Sequence, residues 1–189
     1  MDDIIKRAVS QNIETNRALS QEKHIDRIKE IASAIILSIK RGGKVIIFGN
    51  GGSAADAQHM AGELVGRFKK ERKGLPAISL TANTSSLTAI SNDYSYDMCF
   101  SRQVEALARP EDIVIGISTS GNAKNVIKAI VYARNNGIKT VALTGKDGGG
   151  LVKEADISFV VPSGQTPSIQ EAHILIIHVL CELVEEGCS

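Results

Sequence analysis

Apolar residues recur at spacings of three and four through Ile25, Ile28, Ile31, Ala32, Ile35, Ile36 and Ile39. That period predicts an amphipathic helix of about five turns, closed by Gly42-Gly43. The rest of the first 40 residues carries helical character and little else. From there the pattern changes to short apolar runs alternating with helical stretches. Strands are predicted at Val45–Phe48, Ala77–Leu80, Ile113–Ile117, Thr140–Leu143 and Ile157–Val161. Helices are predicted at Ser53–Lys70, near Ser85–Ile90, at Asn122–Asn136 and near Gly150–Glu154. Several strand segments are apolar without alternation, the pattern of strands buried on both faces of a parallel sheet. The expectation is a three-layer α/β fold with a doubly wound, five-stranded parallel sheet and N-terminal helices.

The last predicted helix, from about Ile169 to Glu186, departs from the amphipathic pattern. Ile174, Leu175, Ile176, Ile177, Val179, Leu180 and Leu183 cover most of its circumference. An outer helix of a three-layer fold shows one side to solvent, so the surplus apolar surface implies a partner subunit.

Two loops follow predicted strands and open predicted helices. Gly49-Asn50-Gly51-Gly52-Ser53 follows Phe48, and Ser118-Thr119-Ser120-Gly121-Asn122 follows Ile117. Free backbone N–H groups, short hydroxyls and the positive end of a helix dipole suit a phosphate. The glycine loop alone also fits a simple tight turn; the hydroxyl loop beside it points to a phosphorylated small molecule.

Composition narrows the rest. With 22 basic and 21 acidic residues the net charge is +1, which leaves nucleic-acid binding by a broad basic face unsupported. The most basic stretch, Lys69-Lys70-Glu71-Arg72-Lys73, reads as a solvated helix end. Cys99, Cys181 and Cys188 lack paired spacing, so neither a disulfide framework nor a thiolate zinc site is expected. Met1-Asp2-Asp3 lacks the order of a signal peptide, and no apolar run reaches the roughly 18 residues of a membrane span. The reading is a cytoplasmic protein with no membrane partner.

His59 and Glu63, four apart after the glycine loop, share one helix face. Together they suit a divalent metal or proton transfer, and on spacing alone they also read as an ordinary surface pair. His178 lies within the apolar run Ile174–Leu180, so burial as a satisfied core histidine is the favoured reading of its position. Asn92-Asp93 and Lys146-Asp147-Gly148-Gly149-Gly150 read first as turns.

Taken together, Gly49 through His59, Ser91-Asn92-Asp93, Gly116 through Asn122, and Ile169-Gln170-Glu171-Ala172-His173 through His178 resemble the phosphoheptose isomerases. These are members of the sugar isomerase (SIS) domain superfamily, and the likeness runs from about Ile25 to Glu185. The resemblance implies a flavodoxin-like SIS domain over 41–189, with residues 1–40 a helical segment packing on it or on a partner subunit. It implies a homotetramer with sites built between subunits. The implied reaction interconverts sedoheptulose 7-phosphate and glycero-manno-heptose 7-phosphate for surface-glycan heptose.

By the same resemblance Glu63 and His178 are the catalytic acid–base residues, and His59, Glu63, Gln170 and His178 match zinc ligands. Asn50, Gly51, Gly52, Ser53, Asn92, Asp93, Ser118, Thr119, Ser120 and Gln170 match substrate-contacting positions. Two positions depart from the family pattern. Ala123 replaces a frequent serine, and Thr166-Pro167-Ser168 lacks the arginine often found before Ile169. Two other readings compete: a non-catalytic SIS regulator that binds the replication initiator DnaA, and an isomerase of another sugar phosphate. Retention of Glu63 and His178 argues against the regulator.

An aldose–ketose isomerase needs a base at carbon and an acid–base group at oxygen, roles assigned here to Glu63 and His178. One geometric constraint applies. Gln170 and His178 stand roughly 12 Å apart along a continuous helix and about 80° apart around it. Either that helix is irregular near Gln170, or the ligands come from different subunits.

Overall fold

A computed structural model describes residues 1–188. Two N-terminal helices, α1 (Asp2–Leu19) and α2 (Glu22–Lys40), precede strand β1 (Val45–Gly49). There follow α3 (Gly52–Val65), β2 (Ala77–Ser79), α4 (Thr84–Asp93), a 3-10 turn (Tyr96–Met98) and α5 (Ser101–Leu107). The second half runs β3 (Ile113–Ser118), α6 (Lys124–Asn135), β4 (Lys139–Thr144), α7 (Leu151–Glu154), β5 (Ile157–Val160) and α8 (Thr166–Cys188).

The five strands form one parallel sheet in the order β2-β1-β3-β4-β5. Alternate residues of each strand feed opposite layers. Val45, Ile47, Ile113, Ile115 and Ile117 join Ile31, Ile35, Met60, Leu64 and Ile177 from α2, α3 and α8. Ile46, Phe48 and Val114 join Phe100, Val104, Val126 and Ile130 from α5 and α6 on the other side. This is the expected three-layer doubly wound fold. The chain crosses from one side of β1 to the other between β2 and β3, so the topological switch lies between β1 and β3. Ligands of open α/β sheets bind outside the carboxyl ends of the strands at that point. The glycine loop leaves the end of β1 and the hydroxyl loop leaves the end of β3, with Gly49 and Ile117 in register.

Several boundaries differ from the sequence reading, each for a physical reason. The helix expected to reach Lys70 stops at Val65, where Gly66 leaves helical geometry and Arg72 takes over the free carbonyls. The basic stretch at 69–73 is therefore a loop folded back on the protein rather than a solvated helix end. The helix expected from Asn122 starts at Lys124, because Gly121 and Asn122 are used in a turn. Asn92 and Asp93 close α4 instead of forming a turn. β2 is an edge strand, and its Ile78 is exposed rather than buried.

The apolar surplus of α8 is real. Its inner residues Ile169, Ala172, Ile176, Ile177, Leu180 and Val184 are buried, whereas Leu175, Val179 and Leu183 are exposed. By length and hydropathy α8 passes for a membrane span, but half of that stretch is buried inside the fold.

Candidate active site

The glycine loop turns from β1 into α3 with Gly51 at the helix cap. A side chain at Gly52 would strike the Gln170 amide. Glycine here lets α8 bring Gln170 directly over the start of α3. The same end of α3 borders a cavity of about 360 Å³ lined by Gly52, Asp56, His59, Gln170 and Glu171. Asp56 is part-buried, its Oδ2 has no hydrogen-bond partner, and burial pushes its carboxyl up to about 6.

The hydroxyl loop is braced from behind. Gly121 adopts φ +65°, and a Cβ there would collide with the Gly148 carbonyl. The Leu151 N–H donates to the Gly121 carbonyl at 2.9 Å, and the Gly150 N–H donates to Asn122 Oδ1 at 3.0 Å. Lys146–Gly150 is thus a turn, as expected, and it clasps the loop. Ser118 is buried, while Thr119 and Ser120 are partly exposed. Ala123 occupies the cap position of α6 with no side-chain hydrogen bond, one hydroxyl short of a serine cap.

His59, Glu63 and His178 converge. His59 Nε2 lies 3.1 Å from Glu63 Oε1 and 3.0 Å from His178 Nε2. The Phe68 ring stacks on the His178 ring at 5.6 Å between centroids and 22° between planes. The sequence reading of His178 as a buried core residue is overturned: its ring is half-exposed, on the face of α8 toward α3. The buried histidine is His173, five residues earlier. Its Nε2–H donates to the Thr144 carbonyl at 3.1 Å, Nδ1 has no partner, and burial lowers its pKa to about 4.

These contacts suit a divalent cation. Two imidazole nitrogens and a carboxylate oxygen lie within 4.8 Å of one another. Ligands about 2.0–2.1 Å from a tetrahedral zinc stand about 3.3 Å apart, near the observed spacings. All three residues come from one chain. α8 is helical without interruption from Thr166 to Cys188, and the Gln170 side chain lies over Gly52 at the start of α3. Helix irregularity therefore does not bring Gln170 to the other three.

The SIS domain profile matches residues 11–145. A phosphoheptose isomerase of Thermodesulfovibrio yellowstonii is 51% identical over 98% of this chain and 92% of its own length. One from Aquifex aeolicus is 56% identical over 87% of this chain and 86% of its own. The solved structure of the phosphoheptose isomerase of Neisseria gonorrhoeae superposes with a TM-score of 0.92 at 38% identity, covering 98% of both chains. The chain belongs to the phosphoheptose isomerase family.

Within this phosphoheptose isomerase scaffold, two residues near the loops escaped sequence reasoning. Asn50 and Asn125 exchange amide hydrogen bonds at 2.9 and 3.0 Å, and the Tyr96 hydroxyl donates to Asn50 Oδ1 at 2.7 Å. The Asn50 carbonyl oxygen is thereby occupied twice, and the amide keeps one N–H for a ligand oxygen. An Asn in the first turn of a helix is a common cap-region residue, so Asn125 gave no signal in the chain. Asn92 and Asp93 are exposed and bond to each other at 2.9 Å; among the described residues no hydrogen bond joins them to the other candidates.

Proposed function

We propose that this chain interconverts sedoheptulose 7-phosphate and glycero-manno-heptose 7-phosphate through a cis-enediol. The observation that carries the reading is the convergence of His59, Glu63 and His178 beside strand ends that carry two phosphate-grade loops. The loop Ser118–Ser120 and the start of α6 anchor the terminal phosphate, with Asn50, Gly51, Gly52, Ser53, Asn92, Asp93 and Gln170 along the sugar. Glu63 takes the carbon-bound proton and returns it to the neighbouring carbon. His178 moves protons between the carbonyl and hydroxyl oxygens, placed beside His59 and the Glu63 carboxylate.

His59, Glu63, Gln170 and His178 would hold a zinc ion, which when bound would supply Lewis acidity to the sugar carbonyl. A carboxylate held as a ligand is a weaker base, so the two assignments of Glu63 compete, and substitution separates them. Gln170 completes the set from a second copy of the chain. Exposed apolar residues support such an assembly: Ile4, Ile5, Val9 and Ile13 on α1, and Leu175, Val179 and Leu183 on α8. The family resemblance supports reading the assembly as a tetramer in the cytoplasm, with residues 1–40 at its contacts and a product destined for surface glycans.

A coupled assay across phosphosugars of five, six and seven carbons tests the reaction. Turnover confined to the seven-carbon sugar is the expected result, turnover of a shorter sugar instead moves the substrate, and none at all favours a DnaA-type regulator. Mixed oligomers test the shared site. Because Glu63 and His178 lie in one chain, mixing Glu63→Gln with His178→Gln subunits restores nothing. Mixing Glu63→Gln with Gln170→Ala subunits restores about a quarter of the sites by random pairing. Recovery in the first mixture, or none in the second, contradicts the arrangement.

A further inference from the structure

The loop at residues 66–75 between α3 and β2 is bound to α8 by a buried ion pair that the reaction does not use. The Arg72 side chain is 6% exposed and that of Glu185 2%, and Arg72 Nε lies 3.0 Å from Glu185 Oε1. Around this pair two separate jobs are done. Glu185 accepts the backbone N–H groups of Phe68, Lys69 and Lys70 at 3.1, 2.8 and 2.9 Å. Arg72 donates to the carbonyls of Glu63, Leu64 and Gly66 at 3.0, 2.9 and 3.2 Å. Those carbonyls end α3, where a helix leaves its acceptors free.

Both arms lead to the triad. Arg72 grips the backbone of Glu63 itself. Glu185 lies seven residues beyond His178, two turns along the same face of α8. It fixes the segment that lays Phe68 against the His178 ring. Glu63 and His178 belong to different helices, so their separation depends on what ties the end of α3 to the end of α8.

We propose that Arg72 and Glu185 are positioning residues that set the placement of Glu63 and His178 relative to each other. This rests on the isomerase reading for its kinetic consequence but not for its structural one. A planar guanidinium serves the carbonyls of Glu63, Leu64, Gly66 and Lys73 and a carboxylate in fixed directions, whereas a lysine ammonium keeps the charge and loses the fork. Misplacement of about 1 Å in a catalytic group can cost on the order of 100-fold in rate. Loss of an outer support for metal ligands costs roughly 10–100-fold in affinity.

The experiment uses the full chain with Arg72→Lys and Glu185→Gln, and Lys70→Ala as control. The Lys70 side chain pairs with Glu186 at the surface, and its backbone N–H to Glu185 survives the change. Three quantities are measured: thermal midpoint, kcat and KM on the phosphosugar, and cobalt(II) affinity of metal-free protein by titration. In the folded Arg72→Lys protein, kcat falls about 10–100-fold with KM within about threefold. Its cobalt affinity falls at least about tenfold, and the control matches wild type. A lower thermal midpoint with unchanged kcat and cobalt affinity overturns the proposal, since the pair would then serve stability alone. If the wild type turns over no phosphosugar while Arg72→Lys still weakens cobalt binding, the isomerase reading fails and this one stands. Should Arg72→Lys not fold, Glu185→Gln carries the test: unchanged kcat and cobalt affinity in that folded variant overturn the proposal.

Discussion

Two histidines five residues apart on α8 occupy opposite environments. His173 faces the sheet, fully buried, with one nitrogen on the Thr144 carbonyl and the other without a partner. His178 faces α3, half-exposed, against His59 and the Phe68 ring. Five helical residues turn the chain by about 140°, enough to move a side chain from one layer's interior to another element's surface. Burial holds His173 neutral, its pKa lowered to about 4, so it does the work of a core residue. His178 stays half-exposed in a carboxylate neighbourhood, the setting of a proton carrier. The same residue type therefore divides into scaffold and chemistry by helix face alone.

Substitution separates the two most widely. His178→Gln is expected to lower turnover about 10²–10⁴-fold with the thermal midpoint near wild type. His173→Ala is expected to do the reverse. It costs about 2–4 kcal/mol of stability through the cavity it leaves, with kcat of the folded protein within a few-fold. Denaturant unfolding and steady-state rates on both proteins decide it, and equal losses of rate would erase the contrast.

The contrast also has a pH signature. The folded pKa of His173, about 4, lies below the 6.5 of an unfolded histidine. Between those values the unfolded chain binds more protons, so stability rises with pH. The contribution is fully present above about 6.5 and is lost as pH falls toward about 4. Asp56, raised to about 6 by burial, works in the opposite sense, losing stability as pH rises from its ordinary 3.8. The difference between wild type and His173→Ala isolates the histidine; a difference flat from pH 4 to 7 contradicts the assignment.

The smallest expected effect lies at the hydroxyl loop. Ala123→Ser supplies a cap hydroxyl to α6, and one hydrogen bond of about 1 kcal/mol lowers KM for the phosphosugar about fivefold or less. An unchanged KM, measured alongside kcat, would place the phosphate elsewhere.

Much of this was readable in the chain. The unbroken apolar runs at Ile113–Ile117 and Val45–Phe48 announced a buried parallel sheet, and the loops after them marked its switch point. Gln170 and His178 stand too far apart along one unbroken helix to share an ion within a single chain. What the chain hid were contacts set by tertiary packing. Hydropathy averages over a helix turn, so His178 within Ile174–Leu180 looked interior when its face was not. Arg72 sat among exposed lysines and carried no local sign of its partner Glu185, 113 residues away. Asn125 and Tyr96 meet Asn50 only after the sheet has brought β1 and α6 together.

The central claim is that Glu63 moves the carbon-bound proton of a phosphosugar. Purified Glu63→Gln, assayed on sedoheptulose 7-phosphate with its metal content measured alongside, tests it most directly. The account predicts turnover reduced about 10²–10⁴-fold. Turnover near wild type with metal retained would contradict it.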